Sequence, residues 1–192
     1  MDTGRSYAAA VGYQKSLVVA CGLSGEEEVG TVEVLECTSR TWHSVESVPI
    51  QGHHVSSAVI GDHWYLSAYH WRDNKPHVFS AHLPTLVSHA PTSTAPAHIW
   101  CELVPPPVKG STLLAFNNHL LLVGGLKRNF QNDIHCYDPL ADKWNKCGTL
   151  PAKMSGCSCA ELPSGELLVT GGYVKGQEGY SNQVWIGKVA MK

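Results

Sequence analysis

Eleven histidines and seven cysteines are the side chains of this 192-residue chain best able to ligate a metal, exchange thiols or carry a proton near neutral pH. Eight of the histidines (His53, His54, His63, His70, His77, His82, His89 and His98) crowd between positions 53 and 98. Their spacing speaks against a metal centre, because no His-x-x-x-His pair occurs and no carboxylate recurs at a fixed offset from them. His63 and His119 occupy equivalent tight turns and read as hairpin caps. His53, His54 and His70 lie in or beside loops, where a metal-binding or pH-sensing role stays open. The sequence "CSC" at Cys157 to Cys159 poses a similar choice. A metal or redox pair is the sharper alternative, but strand alternation places both sulfurs on one face, and they read as small core hydrophobes.

The seven cysteines (Cys21, Cys37, Cys101, Cys136, Cys147, Cys157, Cys159) are odd in number, show no Cys-x-x-Cys spacing and stand near no glycosylation sequon. Free thiols in a reducing, cytoplasmic setting are the expectation. The nucleophile elbow Gly-x-Ser-x-Gly, the phosphate-cradling Gly-x-x-x-x-Gly-Lys and the dinucleotide fingerprint are all absent from the sequence. An enzyme is therefore not expected, and neither a cofactor nor a metal is assigned.

Charge narrows the partners further. Charged residues make up 16% of the chain and the formal balance is −2, so the basic stripe that nucleic-acid backbones demand is missing. No apolar run reaches the roughly 20 residues that span a bilayer, and the N-terminal stretch does not read as a secretory signal. Neither nucleic acid nor a membrane is an expected partner.

The positioning elements repeat. "LVVACG" (17–22), "WYLSA" (64–68), "LLLVGG" (120–125) and "LLVTGG" (167–172) take equivalent places, and counting from Gly22 through Ala68 and Gly125 to Gly172 gives steps of 46, 57 and 47 residues. Each apolar run follows a turn ("GYQK", "GDH", "NNH", "PSGE") whose Gly and Asn accept positive φ, and each turn follows a small-residue strand ("YAAAV", "SSAVI", "TLLAF", "CSCAEL"). Crowding near an axis explains such small innermost strands. Third strands follow at "TVEVLE", "HVFSAHL", "DIHCYD" and "NQVWIGKV". Three repeats add a fourth strand opening on Trp42, Trp100 or Trp144 and closing on Pro49, Pro105 to Pro107, or Pro151. The 57-residue step reflects a flexible Pro/Ser/Thr/Ala-rich insertion, "SHAPTSTAPAH" (88–98), expected to project from the rim opposite the loops that follow each second strand.

These residues resemble the Kelch repeats, whose hallmark is a double glycine ending the second strand of a four-stranded blade and a tyrosine separated by six residues from a tryptophan. Gly124, Gly125, Tyr137 and Trp144 match in full. Elsewhere Cys21 replaces the first glycine ahead of Gly22, Leu35 stands at the tyrosine position, Ser67 and Ala68 replace the second doublet, and the fourth repeat keeps Gly171 and Gly172 but has Gly187 for tyrosine. The resemblance implies an all-β, partial Kelch-type propeller of about four blades (6–52, 53–107, 108–151 and 152–192) in one region spanning 1–192. The last blade lacks its fourth strand. A six-bladed ring needs roughly 300 residues, so the sequence reads as a fragment of a longer propeller, or as one finished by another copy.

The resemblance also implies a non-catalytic adaptor or scaffold that binds protein. Some Kelch propellers are copper oxidases or iron-assisted lyases, but their residue sets find no match here. Many other Kelch proteins join a BTB domain, which this chain does not contain, and recruit substrates to a cullin ubiquitin ligase. The loops after the second strands vary most between repeats, and they share a rim with the blade connections "IQGHH", "PPVKG" and "AKMSG". The protein-binding residues expected there are Glu26, Glu27 and Glu28, the cations Arg72, Lys127 and Arg128, and the aromatics Trp71, Phe130 and Tyr180. Gly22, Gly124, Gly125, Gly171, Gly172, Tyr137, Trp42, Trp100 and Trp144 are expected to hold the blades together. The rivals are a Kelch-type enzyme or metal-dependent small-molecule binder, and a unit that self-associates through unclosed strand edges.

Overall fold

Period-two alternation and turn residues with positive φ build an all-β chain. The computed structural model describes residues 1–70, 72, 74–88, 99–176 and 180–190. Two compact units divide it, Met1–Leu103 and Val104–Lys192.

Unit 1 holds two four-stranded antiparallel sheets. The first takes β1 (Ala9–Tyr13), β2 (Ser16–Ala20), β5 (Val32–Glu36) and β6 (Thr41–Val45) in that order, with a two-stranded hairpin of β3 (Leu23–Ser24) and β4 (Glu27–Glu28) branching from it. The second orders β7 (His53–Ile60), β8 (His63–His70), β9 (Lys75–His82) and β10 (Trp100–Glu102). The first strands of the two sheets, β1 and β7, lie side by side.

Blade two departs from the sequence-based expectation in two ways. Because Ser67 and Ala68 stand where glycines would break the strand, β8 runs on and pairs Tyr69 with Pro76 and His70 with Lys75. Much of the expected rim loop 69–76 is thus strand. After β9 the chain forms a one-turn helix, α1 (Leu83–Val87), with Pro84 in its first turn, and seats Leu83 and Leu86 in the core. Apart from Ser88, the expected insertion 88–98 lies outside the described residues.

Unit 2 repeats the plan. β11 (Thr112–Phe116), β12 (His119–Val123), β13 (Gln131–Asp138) and β14 (Lys143–Ser155) form the third sheet, and β15 (Ser158–Glu161), β16 (Leu167–Thr170) and β18 (Val184–Gly187) form the fourth, with three strands as the sequence implied. β14 does not close on Pro151. It continues to Ser155 and pairs with β17 (Tyr173–Val174), and Pro151 falls in the register break between Thr149 and Met154, where its missing N–H costs no ladder bond. β11 lies beside β15, as β1 lies beside β7.

The repeat is legible bond by bond. Ser6 and Leu23 exchange backbone hydrogen bonds of 2.9 and 2.8 Å, as Lys109 and Leu126 do at 3.1 and 2.7 Å. The amides of Val29, Gln131 and Ser181 donate to the carbonyls of Gly22, Gly125 and Gly172 at 3.0, 2.8 and 2.8 Å. A β-carbon on Gly22, Gly125 or Gly172 would meet a backbone oxygen (Ser6, Lys109, Ser155) at 2.5, 2.8 or 2.9 Å, so the three share one environment. That environment is the lead-in to the first strand of the same blade, while a β-carbon on Gly124 would meet the Met154 carbonyl oxygen at 2.7 Å. Cys21 adopts φ +59°, matching +64° at Gly124 and +65° at Gly171, so the departure in residue type leaves the backbone plan intact.

The core of unit 1 gathers Val18, Val32, Val34, Trp64, Leu66 and Trp100; that of unit 2 gathers Phe116, Leu121, Val123, Met154 and Val169. No described helix is long and apolar enough to cross a membrane.

Candidate interaction surface

Tyr137 and Trp144 face each other across β13 and β14, their ring centroids 5.1 Å apart. They do more than fill space. The Trp144 indole donates to the Val104 carbonyl at 3.1 Å, while Asp142 accepts from the Tyr137 hydroxyl at 2.7 Å and from the Val104 amide at 3.2 Å. Trp100 makes the equivalent bond to the Glu46 carbonyl at 3.1 Å. The acceptors Glu46 and Val104 each lie four residues beyond a repeat tryptophan, Trp42 and Trp100. Trp42 pairs with Leu35, at the position that tyrosine fills in the third blade. These residues belong to the scaffold.

The structure separates the expected rim residues into two groups. In unit 1, Glu26 and Glu27 are exposed in the β3–β4 hairpin and Arg72 is exposed in the β8–β9 turn. Trp71 lies outside the described residues. Glu28 is not a hydrated rim charge: its side chain is 9% exposed, one oxygen lies 2.5 Å from His53 Nδ1 and the other 3.7 Å from His70 Nε2. Sequence spacing could not bring Glu28 to histidines 25 and 42 positions away. The described residues contain no cluster of three or more His, Cys, Asp or Glu able to hold a metal.

A second buried charge in unit 1 also escaped the sequence reading. Arg5 and Glu33 form an ion pair with both side chains 1% exposed, and the guanidinium also donates to the carbonyls of Cys21 and Thr31 at 3.1 and 2.8 Å. Burial resists ionisation of Glu33, but the Asp2 amide and the Arg5 guanidinium outweigh it and hold the carboxyl below its ordinary range. Burial also pushes the adjacent Cys21 thiol up to about 12.

In unit 2 the expected residues converge. Leu126 bridges to Phe130, and Tyr173 bridges to Tyr180. Phe130 stacks on Tyr173 with centroids 5.3 Å apart, and Tyr180 meets Tyr173 edge-on at 6.2 Å. Tyr173 is 40% exposed and Tyr180 87%. Around this three-ring ladder stand Lys127 and Arg128, both exposed, with Lys153 and Lys175 brought together by a 2.9 Å backbone bond. These four cations have no ion-pair partner among the described residues, and the described residues of 126–132, 151–157 and 171–182 include no carboxylate. Burial holds neighbouring His135 below its usual range; Asp133 opposes this, and Lys146 and Lys127 reinforce it.

Tyr173, Lys153 and Lys175 were missed as site residues. Their signal was position, since each lies in a loop or connection assigned to the same rim.

Residues 107–151 match the family model of the Kelch motif, covering the repeat with both glycines and the Tyr137/Trp144 pair. A search of curated proteins finds no match. Among solved structures, the chain is similar to one described as "Structure of YjhT", with a TM-score of 0.71 and 14% identity over 98% of this chain and 70% of that one. The fold is that of a partial Kelch-type propeller.

Proposed function

We propose that this chain is a non-catalytic protein-interaction module, an adaptor or scaffold, whose unit 2 rim holds a peptide or protein loop bearing carboxylates beside an aromatic or apolar residue. The observation that carries this reading is the ladder of Phe130, Tyr173 and Tyr180 set among Lys127, Arg128, Lys153 and Lys175. Aromatic rings and arginine dominate interface energetics, and a guanidinium grips a carboxylate through paired hydrogen bonds. Excess positive charge favours an acidic ligand and speeds its approach at low salt. Free cysteines throughout are in keeping with a reducing, cytoplasmic setting.

Selection of a displayed random-peptide library on the whole chain tests the reading. Acidic peptides with an aromatic residue should be enriched, and Lys127→Glu/Arg128→Glu should release them while leaving the fold intact. Enrichment of peptides that the double variant binds equally well would reject it.

A second reading rests on β18. This outer strand of a three-stranded sheet exposes Val184 at 60% and Ile186 at 58%. An open apolar edge of this kind pairs readily with another strand, so self-association is its expected behaviour.

A further inference from the structure

Four cysteines of unit 2 reach the same core, but only two of them address each other. Cys136 and Cys147 turn their thiols to the carbonyls of Tyr137 and Ile134, at 3.7 and 3.5 Å, and burial raises both, Cys147 to about 11. Cys157 and Cys159 instead place their sulfurs 3.8 Å apart on one face of the strand. Thr112 of β11 braces the pair, donating to the Cys157 carbonyl at 2.5 Å and standing 3.6 Å from its sulfur. The contact between the two sulfurs draws Cys157 down to about 7 against the opposing effect of burial, and the same contact together with burial raises Cys159. Two sulfurs within reach of each other are the arrangement of an attacking and a resolving cysteine.

We propose that Cys157 and Cys159 form an oxidation site, converted by a hydroperoxide into an intrastrand disulfide. The Cys157 thiolate attacks the terminal peroxide oxygen, the O–O bond breaks, and the leaving oxygen takes up a proton as water or an alcohol. Cys157 is then a sulfenic acid. Cys159 attacks its sulfur, the S–O bond breaks, and the departing hydroxide leaves as water with the Cys159 proton. Two electrons pass from the two thiols to one peroxide.

The backbone permits closure. Alternate residues of an extended strand stand about 6.6 Å apart, at the upper end of the disulfide range. Cys157 precedes the first residue of β15 and lies outside its ladder with β16, so closing the pair breaks no strand register. Cys157 is 6% exposed, which leaves a small peroxide as the fitting oxidant.

Treating the whole native chain with limiting hydrogen peroxide, blocking it with iodoacetamide and mapping its tryptic peptides tests the proposal. Peptide 154–175 contains these two cysteines and no other. It should appear unalkylated, lighter by two hydrogens and restored by dithiothreitol, sooner than the exposed Cys37 and Cys101 are lost. In Cys159→Ser, dimedone should trap the sulfenic acid on Cys157. The proposal is overturned if Cys37 and Cys101 oxidise while both sulfurs of the wild-type peptide stay alkylatable, or if Cys157 passes to sulfinic acid without a disulfide. The wild-type measurement decides the matter even if the variant does not fold.

Discussion

The Trp144 indole N–H meets the Val104 carbonyl at 3.1 Å, and Val104 in turn donates its own amide to Asp142, the acceptor of the Tyr137 hydroxyl. A tryptophan that sequence alone reads as packing material is thus also a hydrogen-bond donor that ties the start of unit 2 to its sheet. Trp144→Phe keeps most of the ring but leaves that carbonyl without its donor, a loss of about 1 kcal/mol. Trp144→Ala also removes a half-buried ring, for a total of roughly 2–3 kcal/mol. Urea unfolding measures both; a Trp144→Phe variant as stable as wild type would show that the hydrogen bond contributes nothing.

Gly125 has φ +111°, and its missing β-carbon would lie 2.8 Å from the Lys109 carbonyl oxygen. Gly125→Ala combines left-handed strain with a backbone collision and should cost at least about 2 kcal/mol. Gly12 in β1 offers the control, because a β-carbon there meets nothing within 4 Å. Gly12→Ala should stay within about 0.5 kcal/mol of wild type by the same denaturant titration.

The Arg5–Glu33 pair makes unit 1 acid-sensitive. Glu33 titrates in the folded chain below its unfolded value of about 4.3. Its stabilising contribution is therefore complete above that value and drains away as pH falls through the lower folded value. Glu33→Gln leaves the Arg5 charge buried and unpaired, at a cost of about 3–5 kcal/mol near neutrality. Thermal midpoints from pH 6 down to 2.5 should converge for wild type and variant as acid removes the wild-type advantage. Parallel curves would mean that Glu33 is not the responsible group.

Tyr180 and Arg128 should be dispensable for folding. Tyr180 is 87% exposed and Arg128 lies on an open loop, so Tyr180→Ala and Arg128→Ala should each change stability by no more than about 0.5 kcal/mol while weakening capture of an acidic peptide. A large stability loss at either position would place it in the scaffold instead of the interface.

What the sequence discloses follows from how local each cause is. The doublet Gly124–Gly125, the Asn117–Asn118 turn and the Tyr137/Trp144 spacing answer to backbone demands within one blade, and these are visible in residue type. Cys21 shows the limit of that logic, since it holds a glycine conformation that its side chain does not advertise. The buried pairs Arg5–Glu33 and Glu28–His53 were hidden because each joins residues more than twenty positions apart; Glu33 alternates with Val32 and Val34 as a solvent-facing residue does, and Glu28 ends a run of three glutamates that reads as hydrated. At the rim, Tyr180, Lys127 and Arg128 were legible as exposed loop residues, whereas Phe130 is half-buried. Tyr173, the ring that joins Phe130 to Tyr180, was not, because only the fold places it between them.

Amide hydrogen exchange of the chain with and without a selected acidic peptide tests the binding surface most directly. Slowed exchange at residues 126–131 and 173–176, with little change elsewhere, is the result predicted. Unchanged exchange in those loops, together with protection along 184–187, would contradict it and place the ligand on the open edge of β18.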